Sequence, residues 1–396
     1  MKIYYIYTAI LTKGGADRII VEKANWLAEH GYEISIVTDT QLGRKPVFPL
    51  SPKVKLIDLA IDFSKEYGHN FIVRTYLYYK LMHQYRKKVE TVLMKDRPDI
   101  VISTLGRDIS FITKIKDDSV KIGEAHTTKY FIRNFHLLEQ RNFLFKYLTK
   151  YFRWSMERQV EKLDALVVLT KEHKSDWGNK LPVYVIPNML PFYPDKVSTC
   201  ENKQAIMVGR YNSAKGYNYM IDAWKIVHQK HPDWIINVFG SGEYEEDVRR
   251  QINDFGLQDV IIMNKPTDRI IEEYQKSSIY VMSSVYEGFA LVLLEAMACG
   301  VPCVSFDCPH GPRNVITNGE DGILVEYLNT SSLAEKICGL IENQKLRKKM
   351  GEKGRVNVLR FSRNAVMSQW IDLFESLKKK ELTASKSSEV INNVCF

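Results

Sequence analysis

The sequence predicts an α/β chain of two Rossmann-like, parallel-sheet domains facing a shared cleft. Three observations carry this. Short, uninterrupted apolar runs alternate with amphipathic stretches, the signature of strands buried on both faces and joined by helices. The alternation stops once, in a proline-rich and polar segment over 186–202, and then restarts. At 396 residues the chain also exceeds what one ordinary core supports. Residues 1–188 are therefore assigned to an N-terminal domain and 203–362 to a C-terminal one. A last helix over 363–380 is assigned as crossing back to the first domain, and 381–396 as a disordered tail.

In the first half, strands are expected at 3–8, 33–38, 100–103, 120–125, 165–170 and 183–186. Helices are expected over 17–29, 71–94 and 137–162. A turn holding Gly14 and Gly15 joins the first strand to the first helix, and Gly31 ends that helix. In the second half, strands are expected at 205–208, 235–239, 260–263, 279–282, 302–306 and 322–325. Helices fall at 217–229, 245–255, 290–299, 331–344 and 347–359. Ligands of such sheets lie outside the carboxyl ends of the strands.

At 45% hydrophobic and 26% charged, the composition is that of an ordinary globular protein. The net charge of +9 is uneven: residues 1–200 hold 32 Lys and Arg against 22 Asp and Glu, so the whole excess lies there. That half is expected to face something anionic, nucleic acid or a membrane surface. No nucleic-acid motif accompanies the charge. Residues 129–162 hold eight Lys or Arg and nine aromatics, and 67–88 is similar, which suits an anionic bilayer surface as well as it suits ordinary solvated helices. The six cysteines form no CxxC pair; the closely spaced Cys299, Cys303 and Cys308 read as small core residues rather than a zinc site, and a reducing, cytoplasmic setting is expected. The apolar start at residues 3–11 lacks a cleavage pattern and reads as a buried strand, and no run of 18 apolar residues exists to span a membrane.

The chemistry-bearing stretch is Tyr286-Glu-Gly-Phe-Ala-Leu-Val-Leu-Leu-Glu-Ala-Met-Ala-Cys-Gly300. Two carboxylates, Glu287 and Glu295, flank the start of a helix whose unpaired amides favour an anion. Carboxylates accept from sugar hydroxyls, so hydroxyls and phosphate can be held together. A buried helix with two solvated acids is the plain alternative. Gly209 and Arg210 close the strand at 205–208, and Lys215 opens the helix after it, where phosphates sit; Arg210 can fork to phosphate oxygens while Lys215 adds a point charge.

Together, Gly209-Arg210, Lys215-Gly216, Phe239-Gly-Ser-Gly242, Glu287-Gly-Phe with Glu295-Ala-Met-Ala-Cys-Gly-Val-Pro302, and the segment 308–322 resemble the retaining glycosyltransferases of family 4. The resemblance is dense over about 200–325 and architectural over 1–190. It implies the GT-B fold and transfer of a sugar from a nucleoside-diphosphate sugar, a UDP-hexose or UDP-N-acetylhexosamine, to a glycan or lipid-linked oligosaccharide in surface polysaccharide synthesis. It implies that Arg210 and Lys215 grip the diphosphate and that Glu287 accepts from the transferred sugar. The backbone at Gly288, Phe289, Ala290 and Leu291 would border the donor, and Glu295 would bind ribose hydroxyls. Asn264 and Lys265 would border the base, Gly15 would admit the diphosphate, and His126 would line the cleft near the sugar; a satisfied structural histidine is the other reading of His126. Asn314 departs from the glutamate many relatives carry there, which leaves the sugar open.

No cofactor is expected, and no metal, since the chain has no D-x-D pair. The expected setting is cytoplasmic, peripheral on the inner face of the cell membrane. A nucleotide-sugar epimerase of similar fold and a non-catalytic nucleotide-sugar-binding subunit are the alternatives. The first lacks identifiable acids at carbon 2, and the intact Glu287, Glu295, Arg210 and Lys215 oppose the second.

Overall fold

A computed structural model describes residues 1–132 and 143–393. The chain divides into two units, one formed by Met1–Ile186 and the segment from Met367 onward, the other by Pro187–Val366.

In unit 1, strands β1 (Lys2–Tyr7), β2 (Glu33–Thr38), β3 (Lys55–Asp58), β4 (Ile100–Ser103), β5 (Val120–Ala125), β6 (Ala165–Val168) and β7 (Val183–Val185) form one sheet in the order 3-2-1-4-5-6-7. Every pairing is parallel. The helices are α1 (Gly15–Glu29), α2 (Phe71–Asp96), α3 (Phe143–Val160) and α4 (Lys171–Trp177). α1 stops at Gly31, which takes φ +84°. α2 begins where the Asn70 side chain accepts from the Val73 amide. Residues 137–142 of the helix expected at 137–162 lie outside the described residues. Tyr4, Ile6, Val101, Leu166 and Val168 from the strands pack with Tyr85, Val89 and Leu93 of α2 in one core.

Unit 2 holds β8 (Gln204–Val208), β9 (Ile235–Phe239), β10 (Ile261–Asn264), β11 (Ile279–Met282), β12 (Cys303–Phe306) and β13 (Gly322–Val325), in the order 10-9-8-11-12-13 and all parallel. Its helices are α5 (Tyr217–Lys230), α6 (Glu245–Asp254), α7 (Ile270–Lys276), α8 (Leu291–Ala298), α9 (Thr330–Glu342) and α10 (Gln344–Asn357). Met207, Trp224, Val238, Val281 and Ile337 are among the buried side chains of its core. The five described cysteines are free and buried in the core.

The expected fold class, α/β with two parallel-sheet domains, is thus borne out. The final helix α11 (Arg363–Asn393) runs past 380, so the disordered tail expected from 381 is helical to Asn393. Met367, Trp370, Phe374 and Leu377 are buried at helical spacing along it, which anchors the segment on unit 1. β3, α4 and α7 were not expected. β3 is a four-residue edge strand with no fully buried position, and the two helices span seven residues each, too short for a periodic signal.

Candidate active site

In unit 2 the sheet order reverses between β8 and β11, the place where an open α/β sheet leaves a crevice at its carboxyl edge. The loop after β8 carries Gly209, Arg210 and Lys215; the loop after β11 carries Ser283, Ser284 and Glu287. The two loops are bolted together. Val285 donates to the Ala214 carbonyl at 2.8 Å, and the Ser283 hydroxyl donates to the carbonyls of Lys215 and Gly216 at 3.1 and 2.9 Å. Gly216 takes φ +59°, and a Cβ there would stand 2.2 Å from the Ser283 carbonyl oxygen, so only glycine fits. Gly240 has the same cause: a Cβ would meet the Gly209 carbonyl oxygen at 2.0 Å.

The charged centre follows from that bolting. Lys215 Nζ donates to Glu287 Oε1 at 2.6 Å, and the Ser284 hydroxyl donates to the same oxygen at 2.6 Å. The Lys215 and Glu287 side chains are 18% and 10% exposed, so the pair is shielded yet reachable. Gly311 closes one side, since a Cβ there would lie 2.7 Å from that of Glu287. Arg210 is exposed and has no ion pair among the described residues. The amides of Gly288, Phe289 and Ala290 have no hydrogen-bond partner among the described residues, so this loop and the α8 N-terminus offer donors to an anion. The Phe289 ring is buried edge-on against Phe361, 5.5 Å between centroids, so only its backbone is available to a ligand.

Only one of the two acids lies in the helix. Glu287 lies on the loop four residues before α8, and Ala290 breaks the helix in the left-handed region at φ +58°. Glu295 sits within α8 and accepts from the Tyr274 hydroxyl of α7 at 2.9 Å. The buried Tyr280 links the two electrostatically: burial first, then the nearby Cys303, Glu287 and Glu295, push its hydroxyl pKa well up. Asn264 ends β10 rather than following it, and its amide is spent on the Asn237 side chain and the Ile262 carbonyl, both at 3.0 Å. Lys265 pairs with Glu245 at 2.6 Å while remaining 74% exposed. Gly209, Arg210, Lys215, Glu287 and the backbone from Gly288 to Leu291 therefore gather at neighbouring strand ends, with Asn264 and Lys265 two strands away. Asn314 closes a 3-10 turn whose Arg313 forks to Asp307. Ser284 and Tyr274 are partners the sequence did not single out; the serine was visible only as a polar lead-in to Glu287.

Unit 1 has its own strand-end cavity, of about 240 Å³, also where its sheet order reverses, between β1 and β4. Tyr7, Thr8, Thr104, Gly106, His126 and Thr127 line it. Asp17 shapes the turn beside it, accepting from the Tyr7 hydroxyl at 2.5 Å and from the Leu11 and Thr12 amides at 3.0 and 2.8 Å. Gly15 is the first residue of α1, one position before Ala16 in the cavity wall, and takes no positive φ. His126 is 11% exposed, and both ring nitrogens are buried without a hydrogen-bond partner among the described residues. Its Nε2 stands 3.4 Å from Glu124 Oε1. Burial pushes the imidazole pKa below its ordinary range, against the pull of Glu124.

Residues 194–357, which include the whole strand-end site of unit 2, match the family of glycosyl transferases group 1. The fold is that of GT-B glycosyltransferases, and the matched domain, with relatives named glycosyltransferases, indicates a transferase enzyme. An uncharacterized glycosyltransferase of Haemophilus influenzae is 28% identical over 93% of this chain and 98% of its own length. The amylovoran biosynthesis glycosyltransferase AmsD of Erwinia amylovora is 24% identical over 94% of this chain and 99% of its own. Among solved structures, Staphylococcus aureus TarM, crystallised with fondaparinux, alpha-GlcNAc-glycerol and UDP, superposes with a TM-score of 0.76 at 16% identity, over 94% of this chain and 99% of that one. At that identity the likeness is one of fold.

Proposed function

We propose that this protein transfers a sugar, with retention of anomeric configuration, from a UDP-hexose or UDP-N-acetylhexosamine to a glycan or lipid-linked oligosaccharide acceptor in surface polysaccharide synthesis. The observation that carries the reading is the shared oxygen of Glu287, held by Lys215 and Ser284 beside Arg210 and three unpartnered amides at a sheet's switch point. The amylovoran role in the name of AmsD and the UDP and alpha-linked GlcNAc bound to TarM favour the same chemistry.

When the anomeric carbon–oxygen bond breaks, its electron pair passes to the diphosphate. Fixed cations and amides stabilise that charge in a partly desolvated site. Arg210 and Lys215 supply the positive charge, so the reaction needs no added metal. The acceptor oxygen bonds to the anomeric carbon from the face that the diphosphate leaves, and the acceptor proton passes to the leaving phosphate oxygen. Glu287 orients the transferred sugar through its hydroxyls, and Glu295 binds the ribose hydroxyls once Tyr274 shares or yields its carboxylate. His126 lines the sugar. A panel of nucleotide sugars, scored by rise in Tm through mass action, identifies the donor; no response to any UDP-sugar overturns the reading. Product anomer by NMR and turnover in EDTA test retention and metal independence.

The basic half is proposed to lie on an anionic membrane surface. Tyr76 and Tyr79 of α2 are 65% and 68% exposed, and Tyr147, Tyr151 and Trp154 of α3 are exposed too, beside Arg74, Lys80, Lys150, Arg153 and Arg158. Exposed rings interleaved with cations match an anionic interface. No described helix is long and apolar enough to cross a membrane.

A further inference from the structure

Beneath the cavity of unit 1 lies a charged cluster that the proposed transfer does not use. Lys23 of α1 and Glu124 of β5 form an ion pair whose side chains are 2% and 1% exposed. Burying two charges costs hydration that their attraction only partly returns, so the pair is poor value as a fastener. Its surroundings are specific. Lys23 Nζ lies 5.5 Å from the Tyr5 ring centroid and 4.4 Å from that of Trp370 on α11. Strand, helix and returning terminal helix thus close on one ammonium group.

The polar atoms around the pair are not matched among themselves. Glu124 Oε1 serves Lys23 and stands 3.4 Å from His126 Nε2. Glu124 Oε2, both ring nitrogens of His126 and the Tyr5 hydroxyl are buried with no hydrogen-bond partner among the described residues. A pair kept only for packing would not sit among unmatched polar atoms under a cavity wall, because each costs free energy.

A carboxylate beside an imidazole does two things: it favours a proton on the nearer nitrogen, and it favours the doubly protonated ring. Lys23 separates these effects. Its charge opposes the field of Glu124 while leaving the carboxylate oxygen in place. The charged groups around the ring are Glu124 on β5 and Lys23 and Asp17 on α1. Burial outweighs the two carboxylates, so the ring stays neutral near pH 7.

We propose that Glu124, anchored by Lys23, is a positioning residue for His126, fixing the neutral imidazole with its proton on Nε2 and leaving Nδ1 as the acceptor. The inference rests on the reading of His126 as a group that lines the sugar. Outer partners of this kind set tautomer and ring orientation, and their loss typically costs ten- to a hundredfold.

The test is nitrogen-15 NMR of the full chain labelled at histidine, without ligand. The wild type is expected to show His126 as the Nε2-protonated tautomer across pH 6–8, with its signals assigned by their loss in His126→Gln. A ring protonated on Nδ1, or an even mixture, overturns the proposal with no further variant needed. The double variant Lys23→Met/Glu124→Gln removes both charges at similar volume. It should mix the tautomers and lower kcat for acceptor-free hydrolysis of UDP-glucose or UDP-N-acetylglucosamine by about tenfold, with KM changed less than twofold. Unchanged nitrogen shifts and kcat in that variant also overturn it. Wild-type hydrolysis by His126→Gln would instead sink the reading of His126 itself and leave the tautomer result standing.

Discussion

Lys215 and Ser284 share a single oxygen of Glu287, each at 2.6 Å, although they come from loops that follow different strands of one sheet. The fold itself aligns the pair, so a diphosphate that takes Lys215 must compete with Glu287 for it. Lys215→Met is therefore expected to weaken UDP binding and to lower kcat/KM by about 10²–10³, the scale for losing one fixed charge-stabilising donor. Isothermal titration and initial rates check this, and undiminished kcat/KM would remove Lys215 from the leaving-group site.

Ser284→Ala should be milder. It removes one neutral donor to a carboxylate that keeps its lysine, a loss of about 1–2 kcal/mol, or roughly five- to thirtyfold in kcat/KM if Glu287 acts in the transition state. Glu287→Ala should abolish transfer while far-UV circular dichroism stays unchanged.

Gly216→Ala should destabilise unit 2 by about 2–4 kcal/mol, because it adds a steric clash to a left-handed backbone. Differential scanning calorimetry would show the loss confined to one of two transitions, and a shift in both would refute the assignment.

Asp39, buried at the end of β2, has its pKa pushed up to about 6 from 3.8, by burial first and then by Asp108 and Asp58 against Thr40 and Arg107. The folded state therefore binds more protons than the unfolded state between those values. Its ionisation costs stability as pH rises from about 4 to about 6. Asp39→Asn should flatten that part of the curve and raise stability at pH 8 by about 2 kcal/mol. Chemical denaturation at pH 4 and pH 8 reads the difference, and an equal effect at both pH values would rule it out.

Tyr151→Ser/Trp154→Ser should reduce flotation with phosphatidylglycerol vesicles at low salt several-fold. Flotation at the wild-type level would exclude this face of α3.

The sheets were legible in the sequence because buried parallel strands are continuous apolar runs; 33–38, 100–103, 120–125, 235–239, 279–282 and 322–325 are strands end to end. β3 escaped because an edge strand needs no such run. In the site, the clustering of Lys215, Arg210 and Glu287 followed from their places at strand ends. The start of α8 did not, since nothing in the composition of Phe289-Ala290-Leu291 announces a left-handed alanine. The partner Tyr274 was invisible for a different reason: it is an ordinary residue in a short helix, and only the tertiary fold brings it to Glu295. Glu124 stands two residues before His126 at the end of one strand, so the period-two spacing of a strand was the signal that could have found it.

The return of α11 to unit 1 makes Pro187–Val366 an insertion within a discontinuous domain. During synthesis from the N-terminus, the inserted domain has its full sequence while the first still lacks Trp370, the ring over the buried ammonium of Lys23. The earlier-translated domain is thus the later one to be completed, and a fragment ending at residue 186 leaves that cation without its aromatic cover.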